Sequence, residues 1–309
     1  MISPHAAGLL SFLVDGQATL LIAGSRGAGK TSLLTALLLE IPQRFRILTI
    51  EDTPEIPTTD LQTLGYKLQS LITKSIVGHS STLEVDPAEA LRTALRLGES
   101  VLILGEVRGL EAKILFEAMR IGAAGNLIMG TIHGSTTRDV YERVVYDIGV
   151  PPTSFKAVDA VVIAAPIRSG GGMERRRRVT QVSETVKTEW SMQPDPEKVF
   201  HDLMVFDART DQLCATGLLE MGQSMVVGGI AKKWGISITD ALGNIAVRTH
   251  MKSVLAEYGR RFPVLLEAAA VRDANNAFWL AIERRGGGGS YEVVRQEWDA
   301  WFQDYVGRV

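Results

Sequence analysis

The fold class of this chain can be inferred from one stretch of its sequence, Gly24-Ser25-Arg26-Gly27-Ala28-Gly29-Lys30-Thr31. It follows an apolar run, Thr19–Ala23, and precedes a helical pattern that begins at Gly29. The spacing G-x-x-x-x-G-K-[ST] between a strand and a helix is typical of a phosphate-binding P-loop. The alternative is a chance glycine-rich turn, but the full spacing and the flanking patterns argue against it.

This loop predicts binding of ATP together with Mg²⁺. Glycines allow backbone N–H groups to surround a phosphate, and the helix N-terminus adds a positive partial charge. Lys30 is predicted to bridge the β- and γ-phosphate oxygens, and the Thr31 hydroxyl to bind Mg²⁺. The predicted nucleotide-binding residues are Gly24, Ser25, Arg26, Gly27, Ala28, Gly29, Lys30, Thr31 and Ser32.

Short apolar runs alternate with helical patterns as far as Pro166, which predicts an α/β fold with a mostly parallel sheet buried on both faces. The predicted strands are Thr19–Ala23, Arg46–Ile50, Val101–Leu104 and Asn126–Gly130, and the predicted helices start at Gly29 and span Pro87–Leu97 and Leu110–Ile121. A hairpin or flap follows, with a strand at Val179–Val186. The pattern is helical from about Gly217 to Arg285.

These patterns predict three parts of the chain. Residues 1–190 form the ATPase core with its flap hairpin, and residues 191–285 form a mainly helical region. Residues 286–309 form a Gly-Gly-Gly-Gly-Ser linker and an amphipathic helix, in which Trp298 and Trp301 are predicted to face a core. The linker also has the composition of an engineered one, so the tail is either native or appended.

Carboxylates follow two of the predicted strands. Glu106 comes directly after Val101–Leu104, with Gly105 standing where a first carboxylate often binds Mg²⁺. Glu106 is therefore the predicted general base, the alternative being a solvated glutamate. In the cluster Glu51-Asp52-Thr53-Pro54-Glu55, we predict that Glu55 helps to orient the attacking water. Glu51 and Asp52 are predicted to bind Mg²⁺ through water or to brace the loop, and Glu51 is the preferred Mg²⁺ ligand. A plain acidic turn is the alternative there.

A histidine and a threonine close another predicted strand, in Gly130-Thr131-Ile132-His133-Gly134. Both side chains are predicted to contact the γ-phosphate and to report its loss. A lone histidine of this kind is more often structural, but His133 follows two other motifs in order. The predicted catalytic set is therefore Glu106, Glu55 and His133.

The combined motifs resemble the secretion-superfamily ATPases, the motors of type II secretion, type IV pili, the archaellum and type IV secretion. The resemblance runs from Met1 to about Val186 and rests on the P-loop, I-E-D-x-x-E, G-E-V-R-G and G-T-I-H. It includes Leu91-Arg92-x-x-Leu95-Arg96, which is similar to the arginine-bearing helix of that family. The sequence Glu106-Val107-Arg108-Gly109 looks most like the archaeal branch of this superfamily. Arg108, Arg92 and Arg96 are therefore further candidate site residues.

The resemblance implies a RecA-like P-loop core that works as a ring-shaped homohexamer and pushes a polytopic membrane platform protein. Family members also carry an N-terminal domain, whereas 23 residues precede Gly24 here. The resemblance therefore implies an ATPase core without that domain, and weak turnover is one expected consequence.

Bulk properties favour a cytoplasmic location, with the membrane reached only through a partner. Cys214 is the single cysteine, and the apolar stretch from Ala6 to Gly24 is interrupted at Asp15-Gly16-Gln17, which favours a helix and a strand over a membrane span. A net charge of −2 provides no strong nucleic-acid signal. Two alternatives to the pilus or secretion motor stay open: a DNA-translocating conjugation motor, and a nucleotide-binding scaffold with little turnover.

The run Arg175–Arg178 has two interpretations. It supplies arginine fingers to the γ-phosphate of a neighbouring subunit, or it is a solvated hairpin; the solvated hairpin is favoured. Arg143 is predicted to be a packing or salt-bridge residue.

Overall fold

The computed structural model describes residues 1–73, 87–96, 101–120, 127–168, 173–188, 195–286 and 290–308. The chain divides into two compact units. The first comprises Met1, Gln17–Thr35 and Gln43–Val226, and the second Ile2–Gly16, Ala36–Pro42 and Val227–Val309. The boundaries predicted at residues 190 and 285 stay a prediction, since this division follows spatial contacts instead.

The first unit is built on a mixed sheet with the strand order β3-β2-β4-β5-β1-β6-β7-β8-β9. Its strands are β1 (Leu20–Gly24), β2 (Arg46–Glu51), β3 (Lys67–Ile72), β4 (Val101–Leu104), β5 (Leu127–Ile132), β6 (Ala160–Ile167), β7 (Arg176–Thr185), β8 (Phe200–Asp207) and β9 (Gln212–Ala215). The pairs from β3 to β6 are parallel, and the pairs from β6 to β9 are antiparallel.

Helices accompany this sheet, and the central strands are buried along their whole length. The helices are α2 (Lys30–Leu38), α3 (Thr58–Thr63), α4 (Pro87–Arg96), α5 (Leu110–Arg120), α6 (Thr137–Glu142), α7 (Pro152–Phe155) and α8 (Gly217–Glu220). A π-helical turn, Arg143–Asp147, extends α6, and a 3-10 turn spans Pro196–Lys198. The predicted α/β fold class and mostly parallel sheet are confirmed.

The sheet register brings the carboxyl ends of four strands to one edge. Gly130 of β5 pairs with Leu104 of β4, which in turn pairs with Ile50 of β2. Ala23, the residue before Gly24 in β1, pairs with Ile132 of β5. Ligands of open α/β sheets bind at this edge.

The predicted mainly helical region from residue 191 begins with two strands that the sequence pattern does not indicate. Strands β8 and β9 lie there, and β8 pairs with β7. The hydrophobic pattern of β8 is weak because only part of it is buried. Pairing with a neighbouring strand, rather than an apolar face of its own, satisfies its backbone. Helices follow from Gly217 to Arg285, as predicted.

The second unit is helical in the residues described. Its helices are α1 (Pro4–Asp15), α9 (Met225–Trp234, which starts at the boundary), α10 (Ile238–Gly259), α11 (Ala268–Arg285) and α12 (Tyr291–Val306), with a 3-10 turn at Pro263–Leu266. Trp298 and Phe302 of α12 are buried against α10 and α11. The predicted terminal helix is confirmed; residues 287–289 of the glycine run lie outside the described residues.

Several buried polar groups of this unit are paired with one another. Arg248 is 2% exposed and donates to Asn244 Oδ1 at 2.7 Å and to Ser11 Oγ at 2.7 Å, and it also pairs with Asp15. Glu40 accepts hydrogen bonds from Ser11 and from Lys252.

The stretch Ala6–Gly24 forms a helix and a strand, as predicted. Within the described residues, no helix is long and apolar enough to cross a bilayer.

Candidate active site

The P-loop connects β1 to α2. Gly29 has a φ of +94°, in the left-handed region that favours glycine, and it immediately precedes the first residue of α2. The Lys30 ammonium turns back over the loop and donates to the carbonyl oxygens of Gly24 at 3.0 Å and Ser25 at 3.1 Å. The loop therefore has the backbone form that its sequence predicts.

Lys30 lies near two groups of opposite charge, the carboxylates of Glu106 and Glu55. Burial lowers the pKa of its ammonium, and the carboxylates of Glu106 and Glu55 oppose that shift. A phosphate at this position would favour the charged ammonium further, because opposite charges attract strongly where water is partly excluded.

The P-loop forms one side of a cleft of about 620 Å³ at the carboxyl edge of the sheet. This volume is in the usual range for a small-molecule site. The lining residues come from the P-loop, from the ends of three strands and from β7: Arg26, Gly27, Gly29, Lys30, Thr31, Ser32, Glu51, Asp52, Thr53, Glu55, Gly105, Glu106, Arg108, Thr131, His133 and Arg177.

Glu51 is the most buried carboxylate that lines this cleft, with 2% of the residue exposed. Its Oε1 accepts hydrogen bonds from the backbone N–H groups of Glu55 at 2.9 Å and Ile56 at 3.1 Å. Its Oε2 is buried and has no hydrogen-bond partner among the described residues. Burial raises the pKa of Glu51 above its ordinary value, against the effect of the two N–H donors. An unpartnered carboxylate oxygen in a polar cleft is a ready position for a cation or a water.

The side chain of Glu51 also lies close to Gly105. A Cβ at Gly105 would lie 3.0 Å from Cγ of Glu51, which is tighter than ordinary van der Waals contact. The side chain from β2 therefore occupies the space beside Gly105, where P-loop enzymes often have a carboxylate. The carboxylate that accompanies Glu106 in this cleft comes from a different strand.

Glu106 is held on both sides. Its Oε2 lies 2.7 Å from Nη2 of Arg108, and its Oε1 lies 3.3 Å from Nε2 of His133. The same Nη2 of Arg108 lies 2.9 Å from Oδ2 of Asp52. Arg108 thus connects the end of β4 to the acidic cluster after β2, and the three predicted motifs meet around Glu106.

Thr131 is 2% exposed and donates its hydroxyl to the carbonyl oxygen of Gly105, while Val107 N–H donates to the Thr131 carbonyl at 2.8 Å. These bonds fix the backbone on both sides of Glu106. Thr131 therefore positions the loop that carries the predicted base, and its proposed contact with the γ-phosphate stays a prediction.

The remaining predicted site residues differ in whether they line the cleft. Glu55 is exposed and lines the cleft. Gly24, Ser25 and Ala28 belong to the loop without lining the cleft. Arg92 and Arg96 lie on α4 with exposed side chains and are not among the residues that line it.

Sequence reasoning did not single out Arg177 within the arginine run. Arg176 pairs with Glu174 at 3.1 Å and Arg178 with Asp211 at 2.7 Å, whereas Arg177 lines the cleft. The signal in the sequence was strand alternation, which separates Arg177 from both neighbours. Asp52, which is predicted to bind Mg²⁺ through water or to brace the loop, pairs with Arg108.

Comparisons with known proteins agree with the motifs. Residues 1–191 match the family model described as Type II/IV secretion system protein. The uncharacterized protein MJ1287 of Methanocaldococcus jannaschii is 29% identical over 252 residues, covering 80% of this chain and 85% of that protein. The type IV secretion system protein PtlH of Bordetella pertussis is 31% identical over 185 residues, covering 56% of this chain and 52% of PtlH. This chain thus spans about half the length of PtlH.

A solved structure is also similar. The crystal structure of the VirB11 ATPase from the Brucella suis type IV secretion system, in complex with sulphate, has a TM-score of 0.45 and 26% sequence identity. The matched region covers 57% of this chain and 50% of that one.

Proposed function

The chain belongs to the type II/IV secretion system protein family, and from that premise we propose that it is a Mg-ATP-hydrolysing motor domain of a filament-assembly or secretion machine. The observation that carries the proposal is the cleft that gathers Lys30 of the P-loop, Glu51, Glu106 and His133 at one sheet edge. A phosphate-binding loop opposite a held carboxylate is the arrangement that nucleotide hydrolysis requires.

The residues of the P-loop suit a triphosphate. Lys30 and the N-terminus of α2 supply positive charge on one side of the cleft, and the Thr31 hydroxyl stands beside them. Arg26 and Ser32 add exposed polar groups at the rim. In this proposal the loop holds the phosphates by its backbone N–H groups, and Lys30 exchanges its two carbonyl partners for phosphate oxygens.

The donors beside the P-loop suit Mg²⁺, which prefers oxygen ligands and binds through few protein groups together with phosphate oxygens. Glu51 offers the buried Oε2 without a partner among the described residues, and Thr31 offers a hydroxyl. The described residues hold no cluster of three or more His, Cys, Asp or Glu side chains suited to a metal, so these two would bind the ion jointly with the nucleotide. When bound, Mg²⁺ would neutralise part of the negative charge that develops on the phosphates.

Glu106 is the proposed general base. It accepts a proton from the attacking water, and Arg108 holds its Oε2 while the reaction uses the other oxygen. His133 contacts that other oxygen at 3.3 Å and moves away from it when the water binds. Glu55, exposed at the rim, helps to orient the water, and His133 and Thr131 sense the γ-phosphate.

In the proposed machine this chain is one subunit of a homohexameric ring. The ring stays on the cytoplasmic side of the membrane and pushes a polytopic membrane platform protein. The archaeal relative MJ1287 fits the archaeal branch that the motifs predict. Within this branch, the role that we propose first is assembly of a filament of the type IV pilus or archaellum kind. Stimulation of ATP turnover by DNA would instead indicate a conjugation motor.

Phosphate release from Mg-ATP by the purified chain tests the proposal. We expect turnover that Lys30→Ala abolishes together with ATP binding, while Lys232→Ala, which removes an exposed lysine of α9, changes neither. Binding of ATP that is insensitive to Lys30→Ala would overturn the proposed site. Binding without turnover would leave the nucleotide-binding scaffold as the function.

A further inference from the structure

We propose that Arg177 binds the phosphate chain of the nucleotide held by the P-loop of its own subunit. This inference rests on the function proposed above and adds a residue to its binding site. It concerns a residue of β7, a strand separated from β1 by β6. The proposed ligand is the triphosphate of Mg-ATP.

The sheet topology brings Arg177 to the P-loop edge. β6 is parallel to β1, and Ala164 of β6 pairs with Gly24, the last residue of β1. β7 runs back along β6, so its first residues stand at the carboxyl edge of the sheet. Ala164 pairs with Val179, and Arg177 lies two positions further toward that edge, opposite Pro166.

A β-bulge selects Arg177 rather than its neighbour. Ile163 pairs with Gln181 but Ala164 pairs with Val179, so Thr180 is the extra residue. With an uninterrupted register, Arg178 would stand opposite Pro166 instead. A bulge that redirects a side chain beside a site is a recurring feature of antiparallel strands.

Strand alternation then separates the arginines by face. Arg176 and Arg178 lie on one face and pair with carboxylates of Glu174 and Asp211. Arg177 lies on the other face, where its side chain lines the cleft beside Gly29 and Lys30. Among the described residues no carboxylate pairs with its guanidinium, whereas both neighbours have such a partner.

The approach to the P-loop is close. Cδ of Arg177 lies 3.4 Å from the position that a Cβ on Gly29 would take, so the stem of the side chain rests on the loop itself. A guanidinium with five N–H donors matches phosphate oxygens in a two-bond arrangement. A phosphate in the cleft would therefore be held between Lys30 and a second cation of the same chain.

The first test measures the affinity for a fluorescent ATP analogue with Mg²⁺ by titration. Removing a charge-assisted hydrogen bond costs about ten- to a hundredfold in affinity, and we expect that loss for Arg177→Ala. Arg177→Lys keeps the charge and should recover part of it. The matched control is Arg176→Ala, which removes the adjacent arginine, half exposed and on the opposite face, and should stay within about twofold of the natural chain. Equal affinities of Arg177→Ala and Arg176→Ala would overturn the inference.

The second test separates action within a subunit from action across a boundary. Lys30→Ala keeps Arg177 but lacks a working P-loop, and Arg177→Ala keeps the P-loop. If Arg177 serves its own subunit, a mixture of the two variants has no more turnover than the sum of its parts. Recovery of turnover on mixing would show that the arginine of one subunit serves the next, which contradicts the inference.

These outcomes are distinct from failure of the proposed function itself. If the natural chain does not bind the ATP analogue, or binds it regardless of Lys30→Ala, the proposed function fails. If Lys30→Ala removes binding while Arg177→Ala does not weaken it, only the inference about Arg177 fails. Circular dichroism of each variant checks its fold, and an exposed arginine such as Arg177 is expected to be replaceable without unfolding.

Discussion

Nε2 of His133 lies 3.3 Å from Oε1 of Glu106, and Nη2 of Arg108 lies 2.7 Å from Oε2 of the same carboxylate. Both oxygens of the proposed base are therefore engaged in this structure. An attacking water needs one of them, and the longer contact, to His133, is the one easier to exchange. In the proposed mechanism, this relationship gives His133 a role in the timing of proton transfer as well as in sensing phosphate.

Glu106→Gln tests the base. The amide keeps the size of the side chain and hydrogen-bonding atoms for Arg108 and His133, but it does not accept the proton of water. We expect ATP affinity close to that of the natural chain and kcat lower by about a hundredfold or more. The control is Glu142→Gln, which neutralises a partly exposed carboxylate paired with Arg138 on α6. Normal turnover in Glu106→Gln would exclude Glu106 as the base.

Replacements of His133 test the contact with Glu106. His133→Ala removes the group that orients Oε1 of Glu106 and the proposed sensor, so we expect kcat to fall about ten- to a hundredfold, as for other groups that orient a ligand or a reacting side chain. His133→Gln places an amide donor at a similar distance and should retain more activity. Steady-state kinetics of both variants check this. Equal losses in both would mean that the imidazole acts otherwise than by this contact.

Glu51→Gln tests the cation site. Replacing the buried carboxylate by an amide removes a charged oxygen ligand, so we expect the Mg²⁺ concentration for half-maximal turnover to rise about tenfold or more. The control is Asp60→Asn, in the first turn of α3 and exposed. An unchanged Mg²⁺ dependence in Glu51→Gln would remove Glu51 from the ion's ligands.

Glu51 also predicts a pH dependence of stability in the absence of nucleotide. Burial raises the pKa of Glu51 above its ordinary value of 4.5, so the folded chain holds this proton more tightly than the unfolded chain. The stability that the group contributes is present below 4.5 and is lost as pH rises through the folded pKa. The free energy of unfolding of Glu51→Gln, relative to the natural chain, should therefore increase with pH across this window. Urea unfolding over a pH series measures it, and a constant difference would contradict the raised pKa.

Trp298→Ala tests how α12 is anchored in the second unit. The indole is 1% exposed, stacks on Phe302 with ring centroids 5.1 Å apart, and donates from Nε1 to the carbonyl of Ala274 at 3.0 Å. Loss of such a side chain costs about 3–5 kcal/mol of unfolding free energy. Trp301→Ala, at a partly exposed position of the same helix, should cost clearly less. Chemical denaturation compares the two, and equal small losses would show that α12 is not held by this core.

The sequence was sufficient for the features that depend on neighbours along the chain. The spacing of Gly24–Thr31 between an apolar run and a helical pattern is a local property, and the structure has β1, the loop and α2 where that spacing predicts them. The carboxyl-end positions of Glu51 and Glu106 also follow from apolar runs that stop at a definite residue. Parallel pairing then places the carboxyl ends of these strands at the same edge of the sheet, as in other open α/β sheets.

Other features needed the tertiary structure. The terminal helix was predicted from its amphipathic pattern, but the depth to which Trp298 is buried depends on α10 and α11. Strands β8 and β9 were missed because their pairing with the rest of the sheet, rather than their own composition, makes them strands.

The P-loop, the order of the site motifs and the α/β class follow from the sequence, because local spacing and hydrophobic period encode them. The sequence does not predict that Cγ of Glu51 lies against Gly105, or that Arg177 rather than Arg178 faces the cleft. These features depend on strand register and on side-chain contacts between segments that are distant along the chain. A single bulge at Thr180 changes which arginine meets the P-loop without leaving a distinct pattern in the sequence.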